Sequence, residues 1–339
     1  MSEGRIYRLG DIRLASGHLL TDAQLVYETW GRLNGNRDNV ILIPTFFTGC
    51  HRRSAGYIES MPALDPDRYF IVSINMFGNS LSTSPSNVPP SASGDGFPVV
   101  SLQDNVECQA ELLRSEFGIT RLRLVMGWSM AACQAFQWAV QFPDLVDAIL
   151  PICGTARTSA YTKVQIDGLG AILGPVWRDD GRTDVLEGAD LGAFGRVYAG
   201  WAFSREFFTR KTYTSLGYSS PRHLLDDWEQ DHLAWHPGDL ASMLRTWRVF
   251  DIADTPEFRG DLDKALASIM ARAVIVPCTT DLFFAVADSV QAVAGMRKAT
   301  LKPYASDWGH CVALPGRNPA FTAFLNAILI DLLGPDDPS

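Results

Sequence analysis

The run Leu122-Arg-Leu-Val-Met-Gly-Trp-Ser129-Met-Ala131 decides how this 339-residue chain is read. Residues 122–126 are a short apolar segment of the kind that forms a strand buried on both faces. Gly127-Trp128-Ser129-Met130-Ala131 follows, and from 130 to 142 the chain is rich in Ala, Gln and aromatics and stops at Pro143. A strand running through Gly-x-Ser-x-small straight into a helix is the setting of a nucleophile elbow. There a serine sits on a strained turn, and its neighbours must be small. The position two after the serine is usually Gly and here is Ala131, one methyl larger. Ser129 Oγ would stand at the helix N-terminus, where free N–H groups and the helix dipole favour a developing oxyanion. The Met130 N–H is one expected donor.

A nucleophilic serine needs a base, and the chain has six histidines. His18 lies in an early turn, His51 follows the segment 40–43, and His223, His232 and His236 fall in a helical region. His310 alone lies in a loop between the last strand-like run, 300–302, and the C-terminal helix predicted over 321–333. The order nucleophile, acid, base, with the base on that late loop, defines the α/β-hydrolase arrangement. Two residues could supply the acid. Asp281 follows the strand predicted over 274–276, where a carboxylate can orient the imidazole and stabilise its cation. Asp307, three residues before His310, is the rival, though it is too local to approach the ring from the usual side. A second oxyanion donor is expected from the loop 43–51, with the Phe47 N–H as the candidate and Gly49 permitting a tight turn. Phe46 and Trp128, beside these groups, are candidates for the pocket wall.

Outward from the elbow, compact apolar runs at 40–43, 69–74, 122–126, 148–152, 274–276 and 300–302 alternate with helical patterns such as 102–117, which ends at Gly118. This alternation predicts a mostly parallel, doubly wound α/β sheet, entered by antiparallel strands over 5–9 and 23–29. Residues 159–254 break the pattern: they show helical periodicity, no clear strand and five of the nine tryptophans. They are expected to form a helical cap inserted after the sixth strand, over a core of residues 1–158 and 255–339. The segment 84–96, rich in Ser, Pro and Gly, reads as a surface loop.

Composition bounds the partners. The net charge of −9, with no basic run, argues against nucleic acid. No apolar run approaches the roughly eighteen residues that span a bilayer, and the first residues lack a signal peptide's apolar core. Six scattered cysteines without a Cys-x-x-Cys pair suit reduced thiols, so a cytoplasmic enzyme is expected. No metal-ligand spacing, dinucleotide fingerprint or phosphate loop is present, and neither cofactor nor metal is expected.

Taken together, Tyr27-Glu-Thr-Trp-Gly-Arg-Leu-Asn34, Thr48-Gly49, residues 64–71, Phe97-Pro-Val-Val100, Gly127-Trp-Ser-Met130 with Gln134 and Trp138-Ala-Val140, Thr280-Asp281 and Gly309-His310 resemble the homoserine O-acetyltransferase family of α/β-hydrolases. The resemblance covers most of the chain. It implies Ser129, Asp281 and His310 as a catalytic triad, a helical cap after the sixth strand, and a homodimer.

The transferases of that family carry Gly-Gly-Ser-Met-Gly-Gly at the elbow, and an Arg early in the cap that pairs with the homoserine carboxylate. Here the matching stretch is Gly168-Leu-Gly-Ala-Ile172, with Leu169 in the place of the Arg. Loss of such a clamp removes a charge-assisted contact of about 1.5–3 kcal/mol. Leu169 is therefore a pocket candidate for an uncharged substrate. The stretches 75–87 and 239–247 and the Phe46-Phe47 loop look more like the family's carboxylesterase members. The expected function is a serine carboxylesterase acting on small, uncharged, short-acyl esters. The alternative is acyl-CoA-dependent O-acyl transfer, with Arg157, Lys163 or Arg178 replacing the missing clamp. A non-catalytic binding protein on the same scaffold is disfavoured by the three chemical residues standing in order.

Overall fold

The computed structural model describes residues 4–89, 96–177 and 188–334. Arg178 lies outside these, as do residues 179–187 of the expected cap. Eight strands form one sheet: β1 (Arg5–Arg13), β2 (Leu19–Trp30), β3 (Val40–Leu42), β4 (Phe70–Ile74), β5 (Leu124–Trp128), β6 (Ala148–Ile152), β7 (Arg272–Ile275) and β8 (Ala299–Leu301). Their order is β1-β2-β4-β3-β5-β6-β7-β8. β2 pairs antiparallel with both β1 and β4, and every later pair is parallel. The mostly parallel α/β sheet expected from the sequence is present.

The sheet is apolar on both faces because its strands are apolar at consecutive positions. Val40, Leu42, Val125, Ile149 and Ile275 enter one buried cluster. Their alternates Ile41, Leu124, Met126, Leu150 and Val274 enter the other, as the twofold periodicity of a strand requires. On the first face pack α2 (Leu102–Phe117), α3 (Met130–Gln141), α9 (Leu262–Ser268) and α10 (Val286–Gly295); on the second pack α1 (His51–Ser60) and α11 (Pro319–Leu333). α2 opens with a Ser101–Asp104 capping box and closes on Gly118 at φ 63°.

Several boundaries differ from the sequence reading. β2 is twelve residues long because it is paired along both edges, so backbone bonding extends it beyond its alternating stretch. β5 is displaced toward the serine: Leu122 makes only an isolated bridge to Val146, whereas pairing with β6 continues to Trp128. α11 starts at Pro319, with the Asn318 side chain capping Phe321 N–H. The segment 84–96 is not simply a surface loop in its described part. Ser84 is buried, and Ser86 bonds Asp239 through both N–H (2.9 Å) and Oγ (2.6 Å).

Between β6 and β7 the chain leaves the sheet. It forms α4 (Ala160–Ile172), α5 (Leu191–Ala202), α6 (Arg205–Thr209), α7 (Pro221–Leu233) and α8 (Pro237–Val249), without a strand among the described residues. The ends of this excursion are held together. Thr158 N–H donates to Phe250 O (2.9 Å), Ile252 N–H donates to Ala156 O (3.1 Å), and Arg157 Nε meets Asp251 Oδ2 at 2.7 Å.

A chain of buried amides ties α2, α3 and the loop after β3. Trp138 Nε1–H donates to Gln109 Oε1 (2.9 Å), Gln109 Nε2–H to Gln134 Oε1 (2.7 Å), and Gln134 Nε2–H to Thr45 O (2.8 Å). The Gln109 amide N–H and the Thr45 carbonyl find these partners only while Gln134 bridges them. Gln134→Ala strands a buried donor and a buried carbonyl, and is expected to lower unfolding free energy by about 2–4 kcal/mol. Gln141→Ala, at the half-buried end of the same helix, where its partners Gln137 and Glu107 can turn to water, should change it by about 1 kcal/mol or less. Urea denaturation of the two variants checks the contrast.

Candidate active site

Ser129 closes β5 and opens α3 with φ 61° and ψ −128°, a backbone state that a residue with a side chain adopts only under constraint. Its N–H donates to Ile152 O of β6 at 3.0 Å, and its carbonyl accepts from Ala132 and Cys133 N–H. Two bare glycines make room for the turn. A Cβ on Gly127 would lie 2.4 Å from the Ala131 methyl, and one on Gly154 would lie 2.3 Å from Ala132 Cβ. Ala131 is tolerated where glycine is usual because Gly127 supplies the missing space.

His310 Nε2 lies 2.9 Å from Ser129 Oγ, and His310 Nδ1 lies 2.8 Å from Asp281 Oδ2. Both the imidazole and the carboxylate are almost wholly shielded from solvent. The other Asp281 oxygen accepts from Phe283 N–H (2.8 Å) and Phe284 N–H (3.2 Å), so the carboxylate is fixed in rotation. With Nδ1–H donating to Asp281, Nε2 presents a lone pair to the serine hydroxyl. Asp307 is turned elsewhere: its carboxylate meets Arg210 Nη1 at 2.8 Å. The loops after β7 and β8 are laced by Thr280, whose Oγ1 donates to Ser306 O (2.6 Å) and accepts from Gly309 N–H (3.1 Å). Trp128 Nε1–H donates to the His310 carbonyl at 3.0 Å, and the two rings are 4.9 Å apart.

The loop after β3 turns between Phe46 and Gly49, with Gly49 N–H donating to Phe46 O at 2.7 Å. The left-handed residue is Thr48, at φ 57°, rather than Gly49. Glycine is needed at 49 for space, since a Cβ there would lie 2.8 Å from the Phe46 ring. Among the described residues, no protein acceptor takes the N–H of Phe47 or of Met130. Phe47 is wedged against Tyr198 (5.4 Å) and Trp247 (6.1 Å).

A cavity of about 800 Å³ has Phe46, Phe47, Trp128 and His310 on its sheet side and Tyr198, Trp228 and His232 of α5 and α7 opposite them. Leu169 does not line it. That residue is fully buried in the apolar core, on the face of α4 that packs against its neighbouring helices α5 and α8. Arg157 is committed to Asp251 and to Gly260 O (2.6 Å), and Lys163 is not part of the wall. The tryptophan-rich stretch supplies Trp228 to the wall, but nothing in its spacing singled out Tyr198 or His232. Burial pushes the thiols of Cys153, beside Asp281, and of Cys311, which follows His310, well above the ordinary range. Among the described residues, no group of three His, Cys, Asp or Glu side chains is arranged to hold a metal ion, and no helix is long and apolar enough to cross a membrane.

Residues 38–182 match the alpha/beta hydrolase fold family. A probable esterase of Corynebacterium glutamicum is 35% identical over 308 residues, covering 89% of this chain and 88% of its own. The ethyl acetate hydrolase of Pseudomonas veronii is 33% identical over 337 residues, covering 97% and 95%. The homoserine O-acetyltransferase of Symbiobacterium thermophilum is 30% identical over 335 residues, covering 88% and 86%. The solved structure of an acetylester hydrolase from Corynebacterium glutamicum superposes with a TM-score of 0.89 at 31% identity, covering 97% of this chain and 95% of that one. The chain is an α/β-hydrolase, and within that fold it belongs to the family that holds homoserine O-acetyltransferases and their esterase relatives.

The elbow geometry predicts that Gly127→Ala, which drives a methyl into Ala131, displaces Ser129 and lowers kcat/KM for an aryl acetate by about 100-fold. Ala131→Gly should stay within about threefold of the parent. Steady-state rates of the two variants provide the check.

Proposed function

We propose that this protein is a serine carboxylesterase that hydrolyses small, uncharged, short-acyl esters through an acyl-enzyme on Ser129. The observation that carries the reading is the continuous relay from Ser129 Oγ through His310 to Asp281, with contacts of 2.9 and 2.8 Å. Ester-hydrolysing relatives that match along nearly the whole chain support it. Ser129 Oγ attacks the carbonyl carbon while His310 Nε2 takes its proton, and Asp281 stabilises the imidazolium. The oxyanion accepts from the Phe47 and Met130 N–H groups. Collapse expels the alcohol, which leaves with the proton from His310. Water then attacks the acyl carbonyl with the same base, releasing the acid and the free serine.

In this reading residues 159–254 are a lid over a core of residues 1–158 and 255–339. Phe46, Trp128 and the roof aromatics shape the pocket. The enzyme works in the cytoplasm as a homodimer without metal or cofactor; its six unpaired cysteines suit that compartment. Acyl transfer to an alcohol is the second reading, favoured by the homoserine O-acetyltransferase relatives. Leu169 and the engaged Arg157 offer a substrate carboxylate no clamp.

Hydrolysis of 4-nitrophenyl acetate should fall by about 10⁴-fold or more in Ser129→Ala. It should fall by about 10³–10⁴-fold in Asp281→Asn and by less than about threefold in Asp307→Asn. Loss of activity in Asp307→Asn with Asp281→Asn active would refute the assignment. Adding acetyl-CoA and an alcohol separates the two reactions: release of free thiol only when the alcohol is present would establish the transferase.

A further inference from the structure

A short acyl group on Ser129 fills little of the cavity of about 800 Å³, and the outer wall carries exposed Arg53, Asp231 and Arg317, so the space opens to solvent. The remaining volume holds the alcohol portion of an ester. Arg53 and Asp231 pair with each other at 3.1 Å, which leaves recognition of an uncharged alcohol to neutral groups. Tyr198 of α5 stands on the wall opposite Phe46, Trp128 and His310. Its ring is held among Phe47 (5.4 Å), Trp228 (5.4 Å), His232 (5.7 Å) and Phe283 (5.9 Å), and the residue is 6% exposed.

The hydroxyl of Tyr198 is the part that these rings leave open. Among the described residues no protein group bonds it, and the side-chain polar atoms that are both unbonded and sealed from water all belong to other residues. Its oxygen therefore reaches open space, and the open space beside Tyr198 is the cavity. Two other polar groups of the wall are already engaged. The Trp128 indole N–H is taken by the His310 carbonyl, and His232 Nδ1 by the Trp228 carbonyl. Burial pushes ionisation of the Tyr198 phenol well above the ordinary range, so it stays a neutral donor. An apolar chain that displaces water from such a hydroxyl leaves a polar group unpaired, whereas an oxygen atom at the same place accepts its hydrogen bond.

We propose that Tyr198 determines specificity on the alcohol side, its hydroxyl donating a hydrogen bond to an ether or hydroxyl oxygen of the leaving alcohol, so that preferred substrates are short-acyl esters of oxygenated alcohols. The inference rests on the esterase reading above. It predicts discrimination between 2-methoxyethyl acetate and butyl acetate, which have the same length and differ by an oxygen in place of a methylene. The hydroxide-catalysed rates of the same two esters correct for the more acidic ether alcohol. After that correction kcat/KM should favour the ether ester by about threefold or more. Both esters give the same acetyl-enzyme, so kcat limited by deacylation should match and the difference should fall in KM.

Tyr198→Phe keeps the ring among its aromatic neighbours and removes the hydroxyl alone. It should lower the ratio of the ether ester to butyl acetate by about tenfold while leaving butyl acetate within about threefold of the parent, with thermal melting confirming the fold. The wild-type ratio needs no variant and decides the matter if Tyr198→Phe does not fold. A corrected wild-type ratio of one or below, or a ratio unchanged in folded Tyr198→Phe, overturns this inference and leaves the esterase reading intact. Failure to turn over any short-acyl ester overturns both.

Discussion

The structure turns on the left-handed backbone of Ser129. That conformation lifts the serine out of the sheet between the end of β5 and the first turn of α3. It is held by the Ser129 N–H bond to β6 and by two positions, Gly127 and Gly154, that have no side chain to obstruct it. Strain of this kind persists only where the surroundings over-determine it. Here they include a five-residue strand with every residue buried, paired on β3 and β6.

The remaining parts of the site are brought to this point from separate loops at the carboxyl ends of neighbouring strands, where open α/β sheets gather their ligands. The loop after β3 carries Phe47, the loop after β7 carries Asp281, and the loop after β8 carries His310. None is held by its own sequence alone. Gln134 fastens the first to α3, and Thr280 laces the other two together. Buried hydrogen bonds of this kind hold loops with the precision of a core, since each stranded partner costs a desolvation penalty.

Much of this arrangement was legible in the sequence because chemistry and periodicity coincide there. The strand-Gly-x-Ser-helix succession and the late position of His310 required no tertiary information. The apolar runs at 40–43 and 148–152 read as strands because side chains on both faces are buried. Which of Asp281 and Asp307 stands beside His310 became visible only in three dimensions: Asp281 bonds Nδ1 of the ring, while Asp307 turns to Arg210, 97 residues away in sequence. Leu169 was misplaced as a wall residue because a helical position points to a face, and which face meets the cavity depends on how α4 packs on α5 and α8. Likewise α1, with polar residues over most of its length, has too weak an apolar stripe to announce itself. Tyr198 and His232 acquire meaning only from the space that their helices enclose with the sheet.

The Trp128 indole, bonded to the His310 carbonyl, has a consequence for motion. Trp128 is covalently joined to Ser129, so one residue grips both Ser129 and the segment bearing His310. A displacement of β5 against the rest of the sheet therefore pulls on the His310 segment through this bond. An aromatic donor beside Ser129 acts as a mechanical link.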